Sequence, residues 1–166
     1  MIGNDVVDIA QTRKESNWQR RGFLDKLFTI EEQLIIFDYP DPEIMVWVLW
    51  SMKEAAYKIY NRQTHIRAYI PTRLVCTIAE ADANIFEGSV IIQDNIYYSK
   101  TVIENQIINT IATITTADLK SIREIKNVSI IKDRYGLPYI YNKQSQLLQP
   151  VSISHHGSCK KIIAIL

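Results

Sequence analysis

One stretch of this 166-residue chain dictates how the rest must be arranged. Residues 43–60 have the composition of a helix, and from Ile44 to Met52 they carry no charge at all. A helix that is apolar on most sides belongs in the interior, so the remaining segments must cover it. Ahead of it, Thr29 followed by Glu32 is a capping-box pattern and predicts a helix over 30–37. Residues 14–28 space Trp18, Phe23, Leu24, Leu27 and Phe28 among polar residues, which predicts an amphipathic helix. Tyr39-Pro40-Asp41-Pro42 is the turn that separates these from the central helix.

The rest of the cover is β-rich. Residues 1–9 are β-branched and apolar and read as a buried strand. Strands of an antiparallel sheet are predicted at 74–78, 89–92, 97–98 and 107–115, followed by a short helix over 117–125. Three more β-rich runs lie at 128–132, 137–141 and 161–166, with Tyr135-Gly136-Leu137-Pro138 as a turn. Helices first and strands later argue an α+β fold, a mainly antiparallel sheet packed against a buried central helix. No repeat, low-complexity tract or linker divides residues 1–166, so one domain is expected.

Charge restricts the partners. Lys and Arg total 19 against 18 for Asp and Glu, leaving no field to steer the chain to nucleic acid or to an anionic membrane. Asp5 and Asp8 occupy the place where a signal peptide needs an apolar run. The densest apolar stretch, 44–50, is too short to span a bilayer. Cys76 and Cys159 have no metal-site spacing and nothing requires them to pair, so a reducing, cytoplasmic setting is the simplest expectation.

Three short motifs carry the chemistry: Gly3-Asn4-Asp5-Val6, Lys53-Glu54-Ala55, and Val151-Ser152-Ile153-Ser154-His155. At helical spacing Trp47, Trp50, Glu54 and Lys58 lie near one face. A Glu–Lys pair one turn apart is ordinarily a solvated surface pair. Here it ends an uncharged run, and carboxylates are seldom buried unless paired or bound to metal. Asp5 is open to the reading of a turn former, yet with Glu54 it offers the two carboxylates that a magnesium ion bound to phosphate oxygens uses. Asp8, three residues on, faces away from Asp5 and is the weaker candidate. His155 and His156 are either surface polarity or donors to a phosphate group. With Cys159 they lack the second ligand pair of a zinc site. A Ser152 or Ser154 nucleophile acting with His155 lacks an elbow motif and a third partner. There is no Walker loop and no dinucleotide fingerprint.

Taken in order, Gly3-Asn4-Asp5-Val6, Phe23…Phe28-Thr29…Glu32, Trp50-Ser51-Met52-Lys53-Glu54-Ala55-Ala56-Tyr57-Lys58, Gly136-Leu137-Pro138 and Ser152-Ile153-Ser154-His155 resemble the 4′-phosphopantetheinyl transferases. The motif order resembles the short, holo-acyl-carrier-protein-synthase type, and the wording around Glu54 the longer type. The resemblance leaves 61–125 as an insertion without counterpart. It implies coenzyme A as donor, a serine of an apo acyl or peptidyl carrier protein as acceptor, and 3′,5′-ADP as second product. By position it implies Asp5 and Glu54 as Mg2+ ligands and Glu54 and Lys58 as catalytic residues. Lys53, Ser154 and His155 would contact coenzyme A. Gln11, Lys26 and Leu49 stand where the short type carries arginines. Because each motif occurs once, a homo-oligomer is expected, with Asp5 and Glu54 facing the His155 of a neighbouring copy or the reverse. The alternatives are a silent relative that binds coenzyme A or a carrier without transfer, and a structural assembly protein.

Overall fold

In the computed structural model, which describes residues 1–143 and 145–166, the central helix α4 runs over Pro42–Thr64, a turn longer than its apolar core requires. Asp41 caps it by accepting from the Ile44 amide, and Pro42 occupies the first turn, where its missing N–H costs nothing. It ends at His65, which adopts a left-handed backbone and returns its N–H to Asn61. Val46, Val48, Leu49, Ala55, Ala56 and Ile59 are fully buried along it.

A five-stranded antiparallel sheet supplies most of the cover, in the order β1 (Ile2–Asp8), β5 (Ile107–Thr113), β4 (Asn95–Glu104), β3 (Ile85–Ile92), β2 (Val75–Ala81). Its inner face follows the period of two. Phe86, Val90, Tyr97, Ile108 and Ala112 point into the core, while Ile85, Ile91 and Ile96 are exposed. Three of the polar side chains between the sheet and α4 bond one another. Ser51 donates to Thr110 at 2.8 Å, and Thr110 and Thr101 share a bond of 2.7 Å.

Three shorter helices lie between β1 and α4 in the chain, α1 (Ile9–Glu15), α2 (Phe23–Leu27) and α3 (Ile30–Asp38), and α3 packs against α4. The expected capping box opens α3, with both reciprocal Thr29–Glu32 bonds formed. The helix expected over 14–28 is broken. Residues 16–22 turn through Gly22, whose φ of 75° no helix permits, so only the ends are helical. The helix expected over 117–125 is a 3-10 turn, Ala117–Ser121, leading into the strand β6 (Ile122–Glu124). A hydrophobic cluster of Ile2, Ile122 and Ile163 holds β6 in the sheet with β10 (Ser152–His156) and β11 (Cys159–Ile165). The strands β7 (Ile131–Lys132), β8 (Pro138–Asn142) and β9 (Leu147–Pro150) form a third small sheet. Residues 61–125 thus contain the strands that carry β1: the antiparallel pairing of Asp5 with Thr110 is part of the ladder that holds the N-terminal motif in place.

Candidate active site

The first motif begins with a steric requirement. Gly3, Asp5 and Val7 share the face of β1 turned to α4. A Cβ built on Gly3 would lie 1.9 Å from the Ala55 carbonyl oxygen, inside any real contact. Only glycine lets the strand backbone rest directly on the helix backbone at this point. Two residues on, the Asp5 carboxylate meets the next turn of α4. Its Oδ1 lies 3.9 Å from the Lys58 ammonium. Lys58 also donates to the carbonyls of Asn4 at 2.6 Å and Ile153 at 3.0 Å, so its charge sits where β1, β10 and α4 meet.

The C-terminal motif closes the other edge of β1, and it does so with side chains. Ser152 Oγ accepts from the Asn4 amide at 3.0 Å, Ser154 Oγ from Val6 at 3.1 Å, and His156 Nδ1 from Asp8 at 2.9 Å. Alternate residues of β10 point the same way, so the spacing 152, 154, 156 matches every second free amide of β1. The serines donate in turn: Ser152 to the Asn4 side-chain oxygen at 2.7 Å, Ser154 to Asp5 Oδ1 at 2.8 Å. Because Nδ1 of His156 accepts, its proton is on Nε2, which faces Glu15 at 3.2 Å. Asp8, by contrast, caps α1 through the Gln11 amide and takes no part in the site.

His155, between the two paired residues, points outward and is exposed. It lines a cavity of about 160 Å3 together with Asp5, Thr12, Trp47, Trp50 and Glu54. The Trp47 indole N–H is buried without a partner among the described residues. Burial pushes the Asp5 carboxyl up from the ordinary carboxylate range, against the pull of Lys58 and Ser154. Burial raises Glu54 too, and the charge of Asp5 adds to the rise. Lys58 is lowered by burial, while both carboxylates oppose that shift. Two partly desolvated carboxylates share one lysine as their counter-charge, which leaves the set with a net negative charge that a cation would offset. No group of three or more His, Cys, Asp or Glu is placed to hold a metal among the described residues. Two carboxylates do fit an ion that keeps water and substrate phosphate oxygens for its other positions, as magnesium does.

The structure therefore brings Asp5, Glu54, Lys58 and His155 together within one chain. Where the sequence led us to expect the His155 of a neighbouring copy, β10 brings the chain's own His155 to the cavity. Lys53 is not at the site. Its ammonium is fully buried on the far side of α4, 2.7 Å from Glu32 and 2.9 Å from the Pro71 carbonyl, above the Phe28 ring. Adjacent residues of a helix point about 100° apart, so Glu54 and Lys53 serve different interfaces. Ser154 is buried and bonded to Asp5 and Val6, which makes it a support of the site and removes it from the set of coenzyme A contacts. Cys76 and Cys159 are free thiols. Arg13, near the replaced arginine position Gln11, is engaged with Glu43 at 2.7 Å. Tyr69, half-buried with its hydroxyl covered, belongs to a segment where the sequence offers no motif.

A strand and a long helix bring paired carboxylates to the C-terminal Ser-x-Ser-His segment. A family model for the 4′-phosphopantetheinyl transferase superfamily matches residues 1–107, and the chain belongs to that superfamily. The match spans β1 through the start of β5, most of the segment that has no motif. No curated protein matches the chain. The α+β architecture, a large antiparallel sheet on a helix, agrees with this membership. Members transfer phosphopantetheine from coenzyme A, which makes this chain a transferase of that general kind. No helix among the described residues is long and apolar enough to cross a membrane.

Proposed function

We propose that this protein transfers the 4′-phosphopantetheine arm of coenzyme A to a serine of an apo acyl or peptidyl carrier protein, in a magnesium-dependent reaction of the holo-acyl-carrier-protein-synthase kind. The observation that carries the reading is the shared cavity of Asp5, Glu54 and His155, with Lys58 beside Asp5. The serine oxygen forms a bond to the phosphorus that bears the pantetheine arm. The bond from that phosphorus to the bridging oxygen breaks, and 3′,5′-ADP leaves. Glu54, with its raised proton affinity, takes the serine proton. Lys58, held by two carbonyls, puts its positive charge beside the phosphate that departs. Asp5 and Glu54 would hold Mg2+, which neutralises pyrophosphate charge when bound. His155, exposed at the rim, is free to donate to the nucleotide part of coenzyme A. Ser154 fixes the rotamer of Asp5.

A cytoplasmic setting and a homo-oligomer belong to the same proposal. The second reading, a silent binder of coenzyme A or a carrier, is favoured by one observation. Leu49 is fully buried and Arg13 is tied to Glu43, so neither position presents a free guanidinium to a phosphate. Intact-mass analysis of apo carrier proteins incubated with the protein, coenzyme A and Mg2+, with an EDTA control, separates the two. A metal-dependent gain of one phosphopantetheine arm supports transfer. No gain, with coenzyme A still raising the melting temperature, supports the silent binder.

A further inference from the structure

The segment after α4 brings a residue to the site that no motif marks. Residues 65–70 leave the helix, double back along it, and lay the Tyr69 ring edge-on against Trp50 and Tyr57, with centroids 5.8 and 4.8 Å away. Two independent anchors fix this return. The Lys53 ammonium grips the Pro71 carbonyl at 2.9 Å. Two N–H groups of the following turn, those of Arg73 and Leu74, close on Ile70 and Pro71 at 3.0 Å. The buried Lys53–Glu32 pair, remote from the cavity, therefore sets where Tyr69 stands.

The Tyr69 hydroxyl is buried and has no partner in bonding geometry among the described residues. A buried hydroxyl without a partner costs free energy of the order of 1–3 kcal/mol, so its placement needs a reason. Trp50 and Tyr57, which hold the ring, stand one turn before and one turn after Glu54 on α4, so the ring lies beside the Glu54 side chain. A carboxylate that binds a metal through one oxygen leaves the other to be oriented by a neighbouring donor.

We propose that Tyr69 is a positioning residue for Glu54, donating its phenolic O–H to the carboxylate oxygen that the cation does not use. This rests on the reading of Asp5 and Glu54 as magnesium ligands. The aromatic wall of Trp50, Tyr57 and Tyr69 limits the rotamers open to Glu54, and the hydroxyl selects among them.

The test is Mn2+ binding followed by electron paramagnetic resonance in the presence of coenzyme A, on wild type, Y69F and Y69L. Y69F keeps both ring contacts and loses only the donor. It should melt as wild type does while binding Mn2+ about 10–100-fold more weakly, the usual cost of removing a metal ligand's outer partner. The Mg2+ concentration for half-maximal transfer should rise by the same factor, with the KM for the carrier unchanged. Equal Mn2+ affinity in Y69F and wild type overturns the proposal. So does weakening confined to Y69L, which assigns the effect to packing. Failure of the functional reading is distinguishable: wild type would then give no transfer on any carrier, while the Mn2+ comparison still reports on Tyr69.

Discussion

The two carboxylates are held in an environment that disfavours their charge. A carboxyl whose proton affinity rises tenfold on folding costs about 1.4 kcal/mol at neutral pH, so removing the charge should stabilise the resting protein. Asp5→Asn and Glu54→Gln are expected to raise the melting temperature by a few degrees, at roughly 2–4 °C per kcal/mol for a chain of this size. Both should abolish transfer and the Mg2+-induced shift in melting. The pH dependence has a definite sign. Both folded carboxyls titrate above their ordinary values of 3.8 and 4.5. Their stabilising protonation is complete below those values and lost as pH rises through the folded ones. The advantage of Asp5→Asn over wild type should therefore be largest near neutrality and shrink toward about pH 4, read by paired melts. Gly3 lies at the opposite extreme. Its neighbour is a helix carbonyl that cannot swing away, so Gly3→Ala should lower stability by about 2–3 kcal/mol and cut activity by moving Asp5 off α4. Thermal denaturation and a transfer assay check the two parts.

Among the elements, the junction of β1 and β10 is held by side chains where a sheet would use main chain. Ser154→Ala strands the Val6 amide and removes the donor to Asp5, at about 1–3 kcal/mol for the orphaned N–H. The expected result is a lower kcat with little change in the KM for coenzyme A, since Ser154 touches Asp5 and stays buried. Legibility in the sequence follows the range of the interaction. The capping box of α3 and the apolar length of α4 were readable because each is settled within a few residues. The break at 16–22 was not, because Trp18 packs on the core from the turn, and Phe23 and Leu24 from the short α2, as well as all three would from one helix. Ser154 was readable as part of the site and misread in role. Its partners, Asp5 and Val6, come from the far end of the chain.

For the molecule as a whole, one carboxylate ties distant parts together. Glu32 accepts from Thr29, from Lys53 and from the Cys76 amide, joining α3, α4 and β2 in a fully buried knot. Lys53→Met should destabilise by about 3–5 kcal/mol, because it leaves that charge uncompensated in the interior, and denaturant unfolding measures it directly. It should also raise the Mg2+ concentration needed for half-maximal transfer by releasing the Tyr69 segment. Lys53 beside Glu54 in sequence gave no hint of this, since its partner lies 21 residues away. The seam between β1 and β10 has a consequence in time. Asp5 and the serine that orients it are 149 residues apart. A ribosome that has made the first motif, the central helix and the large sheet has made a body with no working centre. Until β10 follows, Ser152, Ser154 and His156 cannot reach the waiting amides of β1. The proposed site is thus completed by a docking step that comes after its first motif, its helix and its large sheet have all been made.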